Sequence, residues 1–252
     1  MPRRLLIFLA LTASLAVVAC SSTPQAPALT DPKEILVKSV ESLATVKTAT
    51  IKGTFSGSVN ATGTGAFDLS SVKLDLAVDV PAKKTRVTVD APTIMGTNLD
   101  LIVADGNLYL KVLGPMAGLL GGDATGKYMK TAVGETVPDE ATDPTKAIEE
   151  LRKGIDQLPK APEKLADERC GDQDCYHVRL ALTGADLATL GAGDGEIGSV
   201  SVDIWSRKND LRPGKITFSL DMGAQGIVGG TFEFTYDQGV NISAPPADQI
   251  AP

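Results

Sequence analysis

Residues 199–236 read SVSVDIWSRKNDLRPGKITFSLDMGAQGIVGGTFEFTY, and this stretch decides the fold. It contains three apolar/polar alternations, at residues 200–204, 216–222 and 232–236. Successive side chains of a strand point to opposite faces of a sheet, so each alternation predicts a strand with one apolar and one polar face. Turn-forming residues separate the three strands. The stretch therefore predicts an antiparallel meander, and something must cover its apolar face.

The composition is typical of one mainly β domain. The chain has 252 residues, of which 43% are hydrophobic and 4% aromatic, so we expect an aliphatic core. The 25 glycines and 15 prolines favour many turns over long helices. The net charge is −7, and Lys and Arg form no cluster after residue 4. These features argue against nucleic acid as a partner.

The first 20 residues are typical of a bacterial lipoprotein signal. Arg3 and Arg4 precede an apolar run over residues 5–18, which is shorter than a membrane-spanning helix. The run ends in LAVVAC, a lipobox in which Cys20 would receive the lipid anchor. An ordinary secretory signal that happens to contain a cysteine is the alternative. We expect residues 1–19 to be the signal peptide, 20–30 a lipidated tether and 31–250 one domain, placed outside the cytoplasm on the cell membrane.

Three helices and further strands are predicted in the remaining chain. Asp31 followed by Pro32 predicts a helix that begins there and ends near Lys47. Asp143 followed by Pro144 predicts a second helix, and Thr183 a short third one that ends at Leu190. Alternating segments predict further strands, which lie at residues 50–55, 72–80, 86–90, 99–103, 108–112, 164–169 and 176–182.

Cys170 and Cys175 bracket a polar turn and are the two cysteines that remain if Cys20 is lipidated. Outside the cytoplasm, such a pair predicts a disulfide across the end of a hairpin. A metal site that includes His177, the only histidine, is the alternative, but these residues make a poor set of four ligands. A redox role is disfavoured because the spacing is not CxxC.

Residues 114–122 are apolar, yet glycines and a proline interrupt them and they fit neither periodicity. One interpretation is a loop that packs on the core. The other is a mobile flap at the mouth of an apolar cavity, in which Leu119 and Leu120 contact the ligand.

The ratio of sheet to helix bears on whether the interior is hollow. About ten strands at about 4.8 Å spacing span roughly 48 Å, while two helices about 10 Å wide cover roughly 20 Å. Either the sheet closes on itself and fills its interior, or it curls incompletely and leaves an apolar hollow. A large dry cavity is costly, so a hollow implies an apolar occupant. The pattern alone leaves both possibilities open.

Several short segments, in this order, resemble the LppX/LprA/LprF/LprG lipoproteins. They are the lipobox with its tether, LIVADGNLYL at residues 101–110, VDIWS at 202–206, RPGKI at 212–216 and YDQGVNISAP at 236–245. The resemblance implies an α+β, mainly antiparallel half-barrel of the LolA type, with helices on its concave face around an apolar cavity. It also implies an acylated lipid or glycolipid as ligand. The pair Cys170 and Cys175 does not match the family pattern.

No lipid-contacting residue can be transferred from the family, because its contact positions form no fixed motif. The candidate cavity residues come instead from the apolar faces of the predicted elements, and they are Leu36, Val40, Leu43, Val72, Leu74, Leu76, Val78, Leu99, Leu101, Leu119, Leu120, Ile148, Leu151, Ile155, Ile216, Phe218 and Leu220.

Catalytic and cofactor motifs are absent from the sequence: it has no nucleophile elbow, no HExxH and no phosphate-binding loop. His177 is expected on the surface or between strands. Trp205 is expected on the face opposite Ile204, at the sheet edge or against a helix. We expect no enzyme activity and no cofactor. A catalytic pair of carboxylates, however, has no sequence motif by which it can be recognised.

We therefore expect a membrane-anchored protein that binds acylated lipid and carries or presents it across the cell envelope, with an envelope lipid transporter as a further partner. A structural or partner-regulating lipoprotein with a closed core is the alternative, and an envelope enzyme is a weaker one.

Overall fold

The structure is a computed structural model in which residues 31–252 form one compact unit. It describes residues 28–61, 65–94, 96–115, 117–118, 126–133, 144–190 and 197–252. Several predictions lie outside these residues: the signal peptide over 1–19, the lipidation of Cys20, most of the tether, Leu119, Leu120 and the helix cap at Asp143. The loop or flap predicted at 114–122 is only partly described.

Helix α1 (Pro32–Ser42) begins where the sequence predicts it. The Asp31 carboxylate accepts hydrogen bonds from the backbone N–H groups of Lys33 and Glu34, as a helix cap does. The predicted end at Lys47 is wrong, because α1 ends at Ser42 and a single 3₁₀ turn follows. Ser42 Oγ donates to the Ser39 carbonyl, and Thr45 Oγ1 donates to the Ser42 carbonyl. Such side-chain bonds compete with regular helical ones.

The described residues contain thirteen strands in one antiparallel sheet. The strands are β1 (Thr48–Ala61), β2 (Gly65–Asp68), β3 (Lys73–Asp79), β4 (Lys84–Ala91), β5 (Thr97–Ala104), β6 (Asn107–Leu113), β7 (Met129–Ala132), β8 (Glu163–Lys164), β9 (Glu168–Cys170), β10 (Gln173–Thr183), β11 (Ser199–Arg207), β12 (Pro213–Asp221) and β13 (Ile227–Tyr236).

The strand order is β7-β6-β5-β4-β3-β1-β13-β12-β11-β10-β8, while β2 pairs with β1 and β9 with β10. The meander β11-β12-β13 is confirmed. The hairpin predicted at Asp105-Gly106 is confirmed as well, and both residues have a positive φ, as a tight hairpin turn requires. β7 and β8 do not pair with each other, so the sheet is an open, curved half-barrel.

The pairing register gives the sheet two chemically different faces. Residues directly opposite each other in an antiparallel pair point to the same side. Ile51 lies opposite Leu76 on one side and Phe234 on the other, and the next residue, Lys52, lies opposite Asp75 and Glu233. We call the first side the apolar face and the second the polar face.

Two further helices complete the fold in the described residues. Helix α2 (Pro144–Asp156) begins at the predicted proline and contacts α1 and the 3₁₀ turn after it. Lys33 pairs with Asp156 at 2.9 Å, and Arg152 with Glu41 at 3.5 Å. Helix α3 (Gly184–Thr189) is short and carries the predicted cap at Thr183 as a reciprocal capping box.

Candidate functional site: the apolar face of the open sheet

The apolar face continues from β7 to β11 without a charged residue, whereas Lys164 on the edge strand β8 lies opposite Val178 of β10. Most of its large side chains are partly exposed, although Val112 and Val178 on this face are only 1% exposed. A core normally buries such residues completely, so this face is only partly covered. The residues that share this face and this partial exposure are Ile51, Phe55, Leu74, Leu76, Val78, Val87, Val89, Leu99, Leu101, Val103, Leu108, Leu110, Leu180, Val200, Val202, Ile204, Ile216, Phe218, Leu220, Phe232 and Phe234.

Three phenylalanines form a cluster at the centre of the apolar face. Phe55 makes edge contacts with Phe218 and Phe232, at 6.4 and 5.8 Å between ring centroids. Phe218 and Phe232 stack at 5.9 Å. Their rings lie over glycines: a Cβ on Gly230 would be 2.5 Å from Phe218, and one on Gly53 would be 2.8 Å from Phe232. The glycines therefore let the rings lie flat on the sheet.

Helix α1 covers one part of the apolar face, over β10 and β11. Ser206 on β11 donates a hydrogen bond of 2.9 Å to Ser39 on α1, and both residues are buried. In the same region Val178 is 1% exposed. The apolar side chains of β1, β3, β4, β5, β12 and β13 stay partly exposed. The uncovered part of the face is therefore a concave apolar surface beside α1.

Tyr236 lies at the end of β13, where the apolar face meets a cluster of charges. The guanidinium of Arg207 is 4.9 Å from the centre of its ring and that of Arg212 is 5.5 Å away. Burial raises the pKa of Tyr236, and its hydroxyl has no hydrogen-bond partner in the described residues. Arg207 pairs with Asp210, and Arg212 pairs with Asp237, so both cations are neutralised locally.

The opposite end of the sheet carries exposed apolar side chains. Leu113, Leu190 and Ile227 are 42%, 43% and 56% exposed. Leu113 ends β6 and Ile227 begins β13, so both lie at the end of the sheet away from the Asp105-Gly106 turn and from Tyr236. The strand register places both Leu113 and Ile227 on the polar face, because Leu113 lies opposite Asn98 and Ile227 lies opposite Asp221.

The structure places the predicted cavity residues in three groups. Those on strands lie together on the apolar face: Leu74, Leu76, Val78, Leu99, Leu101, Ile216, Phe218 and Leu220. Leu36 is a buried residue of α1 and Val72 is buried just before β3, whereas Val40 and Leu43 are partly exposed. On α2, Ile148 and Ile155 are partly exposed and Leu151 is 54% exposed. The main contacts of α2 are with α1 and its 3₁₀ turn, so these three residues are not brought onto the sheet.

The cavity residues predicted from the sequence did not include Phe55, Val87 or Phe232, although each lies in a segment where apolar and polar residues alternate. The structure joins them to the face because β1 pairs with β13 and β3 with β4. These pairings connect segments that are distant in the sequence, and the alternation of one strand does not reveal its neighbours.

The polar face holds a closed cluster around His177, which is 4% exposed and lies between strands. Its Nε2 is 2.7 Å from Asp203 Oδ1, which also accepts a hydrogen bond from Arg179 Nε. The ring stacks on Trp205 at 4.2 Å. Trp205 lies opposite His177, on the face away from Ile204 as predicted, and its Nε1 donates to Glu168. These contacts join the side chains of β9, β10 and β11 on the polar face.

The predicted disulfide between Cys170 and Cys175 is present, and both residues are buried against Trp205. With the two sulfurs bonded to each other, neither is left as a thiolate ligand for the alternative metal site. The described residues contain no group of three or more potential metal ligands.

A small pocket of about 220 Å³ lies away from the sheet, between the start of α1 and the end of α2. Asp31, Lys33, Asp156 and Lys160 are among its lining residues. It is smaller than usual ligand pockets, which have volumes of about 300 to 1,000 Å³.

No helix in the part of the chain that the structure describes is long and apolar enough to cross a bilayer.

Comparison with known proteins identifies the fold. No protein-family model and no curated protein match the sequence. The structure is similar to that of the lipoprotein LppX from Mycobacterium tuberculosis, with a TM-score of 0.51 and 9% identity over 84% of this chain and 98% of that one. The resemblance predicted from the sequence is therefore confirmed in its fold, an open half-barrel that has α1 on its concave face.

Two further structures were matched. LprF from Mycobacterium bovis has a TM-score of 0.48 and 15% identity, and the match covers 85% of this chain and 96% of that one. A LolA superfamily protein from Nitrosomonas europaea has a TM-score of 0.27 and 11% identity, with 87% and 97% covered.

Proposed function

We propose that this protein binds an acylated lipid or glycolipid on the concave apolar face of its half-barrel, and carries or presents it across the cell envelope. The observation that supports this most is the continuous, partly exposed apolar face around Phe55, Phe218 and Phe232. The fold shared with the lipoprotein LppX is in accord with an envelope lipoprotein. The lipid anchor on Cys20 and a transporter partner belong to the same proposal.

The energetics favour acyl chains as the ligand. Each methylene group that leaves water contributes about 0.8 kcal/mol, so two or three chains supply ample binding energy with few polar contacts. The face offers aliphatic and aromatic side chains and no charge along its centre. The segment at 114–122, which follows Leu113, keeps its proposed role as a flap.

Native mass spectrometry of the protein purified without residues 1–20 tests the proposal. We expect bound lipid in the spectra, and uptake of a fluorescent fatty acid after the lipid has been removed. Spectra without lipid, together with no uptake, would favour the closed-core lipoprotein instead.

A matched pair of substitutions on β4 locates the binding surface. Val87 lies on the apolar face and Thr88 on the polar face, and both are partly exposed. Val87→Gln should weaken fatty-acid binding about tenfold, since roughly 1.4 kcal/mol of apolar contact is lost. Thr88→Gln should leave binding unchanged. Equal effects of the two substitutions would place the ligand elsewhere.

A further inference from the structure

The C-terminal segment forms a strap, residues 238–252, that crosses the polar face from the centre of the sheet to its edge. At one end, Thr48 Oγ1 donates to the Gln238 carbonyl. At the other end, Ile250 pairs with Tyr128, which directly precedes β7. The Tyr128 N–H donates to the Gln249 carbonyl, and the Ala251 N–H donates to the Tyr128 carbonyl. The strap is therefore fixed to the sheet at one end by a side-chain hydrogen bond and at the other end by two backbone hydrogen bonds.

The middle of the strap is seated in an apolar cluster on the polar face. Ile242 is 6% exposed and packs with Ile102, Tyr109 and Tyr128. Val240, Ala244 and Ile250 of the strap pack against the same cluster. Ile102 lies opposite Tyr109 in the β5–β6 pair, and their neighbours Leu101 and Leu110 point to the apolar face. The strap and α1 are thus on opposite sides of the sheet.

The strap has little slack. From Thr48 on β1 to Tyr128 beside β7 the strap crosses five strand spacings of about 4.8 Å, or roughly 24 Å. Tyr128 also lies four residues, or roughly 13 Å, further along the strands than Thr48 does, so the two anchors are roughly 27 Å apart. Residues 239–246 contain no helix or turn, and at about 3.3 Å per residue they span roughly 26 Å. The 3₁₀ turn Ala247–Gln249 adds only a few ångströms. Pro245 and Pro246 restrict the backbone of this extended segment.

A taut strap on the convex side opposes one motion of the sheet. When a sheet curls more tightly, the path along its convex side becomes longer, so a strap of fixed length resists the change. The partly exposed apolar face supplies a force in the opposite direction, because tighter curling would bury it. Two opposing effects then set the curvature of the sheet. Burial of the apolar face on the concave side favours tighter curling, and the strap on the convex side resists it.

We propose that the C-terminal strap limits the curling of the β1–β7 part of the sheet and so keeps the apolar face open to its ligand. The limit on curling follows from the strap itself, whereas its effect on lipid rests on the proposed function. The strap makes the width of the concave surface depend on the anchorage at Gln238 and Ile250.

The test lengthens the strap and keeps the attachment to the sheet at each of its ends. Insertion of Gly-Ser-Gly between Ser243 and Ala244 lengthens the strap by about 10 Å. Spin labels on Lys130→Cys in β7 and Asn209→Cys in the β11–β12 turn report the distance across the half-barrel, and both positions are exposed. The full chain carries Cys20→Ser, so that only the two new thiols are labelled. The control has the same insertion between the exposed Pro159 and Lys160.

We expect the strap insertion to shorten the label distance by several ångströms, while the control insertion leaves it unchanged. Affinity for a fluorescent fatty acid should fall at least threefold in the strap variant only. An unchanged label distance in the strap variant overturns the proposal, even if the wild-type chain binds the fatty acid. A shorter distance in a protein that binds no fatty acid supports the strap and contradicts the proposed function.

A variant with a shorter insertion tests the proposal even if the three-residue insertion prevents folding. A single glycine at the same position adds about 3 Å of slack. The label distance should then lie between those of the wild-type chain and the three-residue insertion. A change that does not increase with the length of the insertion would overturn the proposal.

Discussion

Ser206 Oγ on β11 donates a hydrogen bond of 2.9 Å to Ser39 Oγ on α1, and the two residues are 0% and 1% exposed. The bond joins residues 167 positions apart and fixes the helix to the apolar face. A buried hydroxyl that loses its partner costs more than the bond itself contributes.

Ser39→Ala should therefore lower the free energy of unfolding by about 1 to 2 kcal/mol, because it leaves the Ser206 hydroxyl buried without its partner. The double variant with Ser206→Ala should cost less than the sum of the two single variants. Urea denaturation measures all three, with the exposed Ser219→Ala as control. Additive losses would show that the two hydroxyls act independently.

Gly230→Ala should distort the aromatic cluster, because its Cβ would lie 2.5 Å from Phe218 Cε1. We expect a loss of about 1 to 3 kcal/mol in stability, as for other overpacked sites. Fatty-acid binding should weaken in parallel. Gly239→Ala is the control, since nothing lies within 4 Å of that Cβ. If both variants match the wild-type protein in stability and binding, the Phe218 ring is not fixed by Gly230.

Tyr128 should make the protein sensitive to alkali. Burial and the hydrogen bond to Asp100 raise the pKa of Tyr128 to about 12, from 10. The folded state therefore holds this proton more tightly than the unfolded state does, so the stabilisation is complete below pH 10 and is lost between pH 10 and about 12.

The loss of stability between pH 10 and 12 should be smaller in Tyr128→Phe, which has no proton to lose there. Subtracting one urea-denaturation profile from the other removes the titration of the remaining tyrosines and lysines. Parallel profiles for the two proteins would contradict the raised pKa.

Removal of the disulfide should lower stability by about 2 kcal/mol, the entropic contribution expected for so short a loop. Cys170→Ala with Cys175→Ala avoids placing a polar atom in the buried site. Trp205 is the only tryptophan and packs against the disulfide, so its fluorescence reports on the same site. We expect emission at longer wavelength in the double variant, and in the wild-type protein after reduction. An unshifted spectrum would mean that β9 stays in place without the bond.

Local features of the sequence predicted local structure well. Asp31 before Pro32, and Thr183 with Asp186, each cap the helix that follows. Asp105-Gly106 makes the tight hairpin. In each case the deciding bonds lie within a few residues. The end of α1 was predicted less well, because hydrogen bonds from Ser42 and Thr45 to the backbone terminate it before the apolar periodicity ends.

The candidate site could be predicted only in part. The alternation of β3, β5 and β12 identified the side chains of the apolar face, but not which of them would be left partly exposed. Helix α2 was expected over the sheet, because the family resemblance implies helices on the concave face. It contacts α1 instead and leaves Leu151 54% exposed.

The sequence by itself determined most of the strands, the face on which their residues lie and where the helices begin, because periodicity and capping depend on near neighbours. It did not predict the short strands β2 and β7, and the single strand predicted at 164–169 is two strands, β8 and β9. Only the tertiary structure decided the order of the strands, the part of the apolar face that α1 covers and the path of the strap over the other face. Those features rest on contacts between distant segments, such as Ile51 with Phe234 and Tyr128 with Ile250. Such contacts depend on how the whole sheet is assembled, and no short stretch of sequence encodes them.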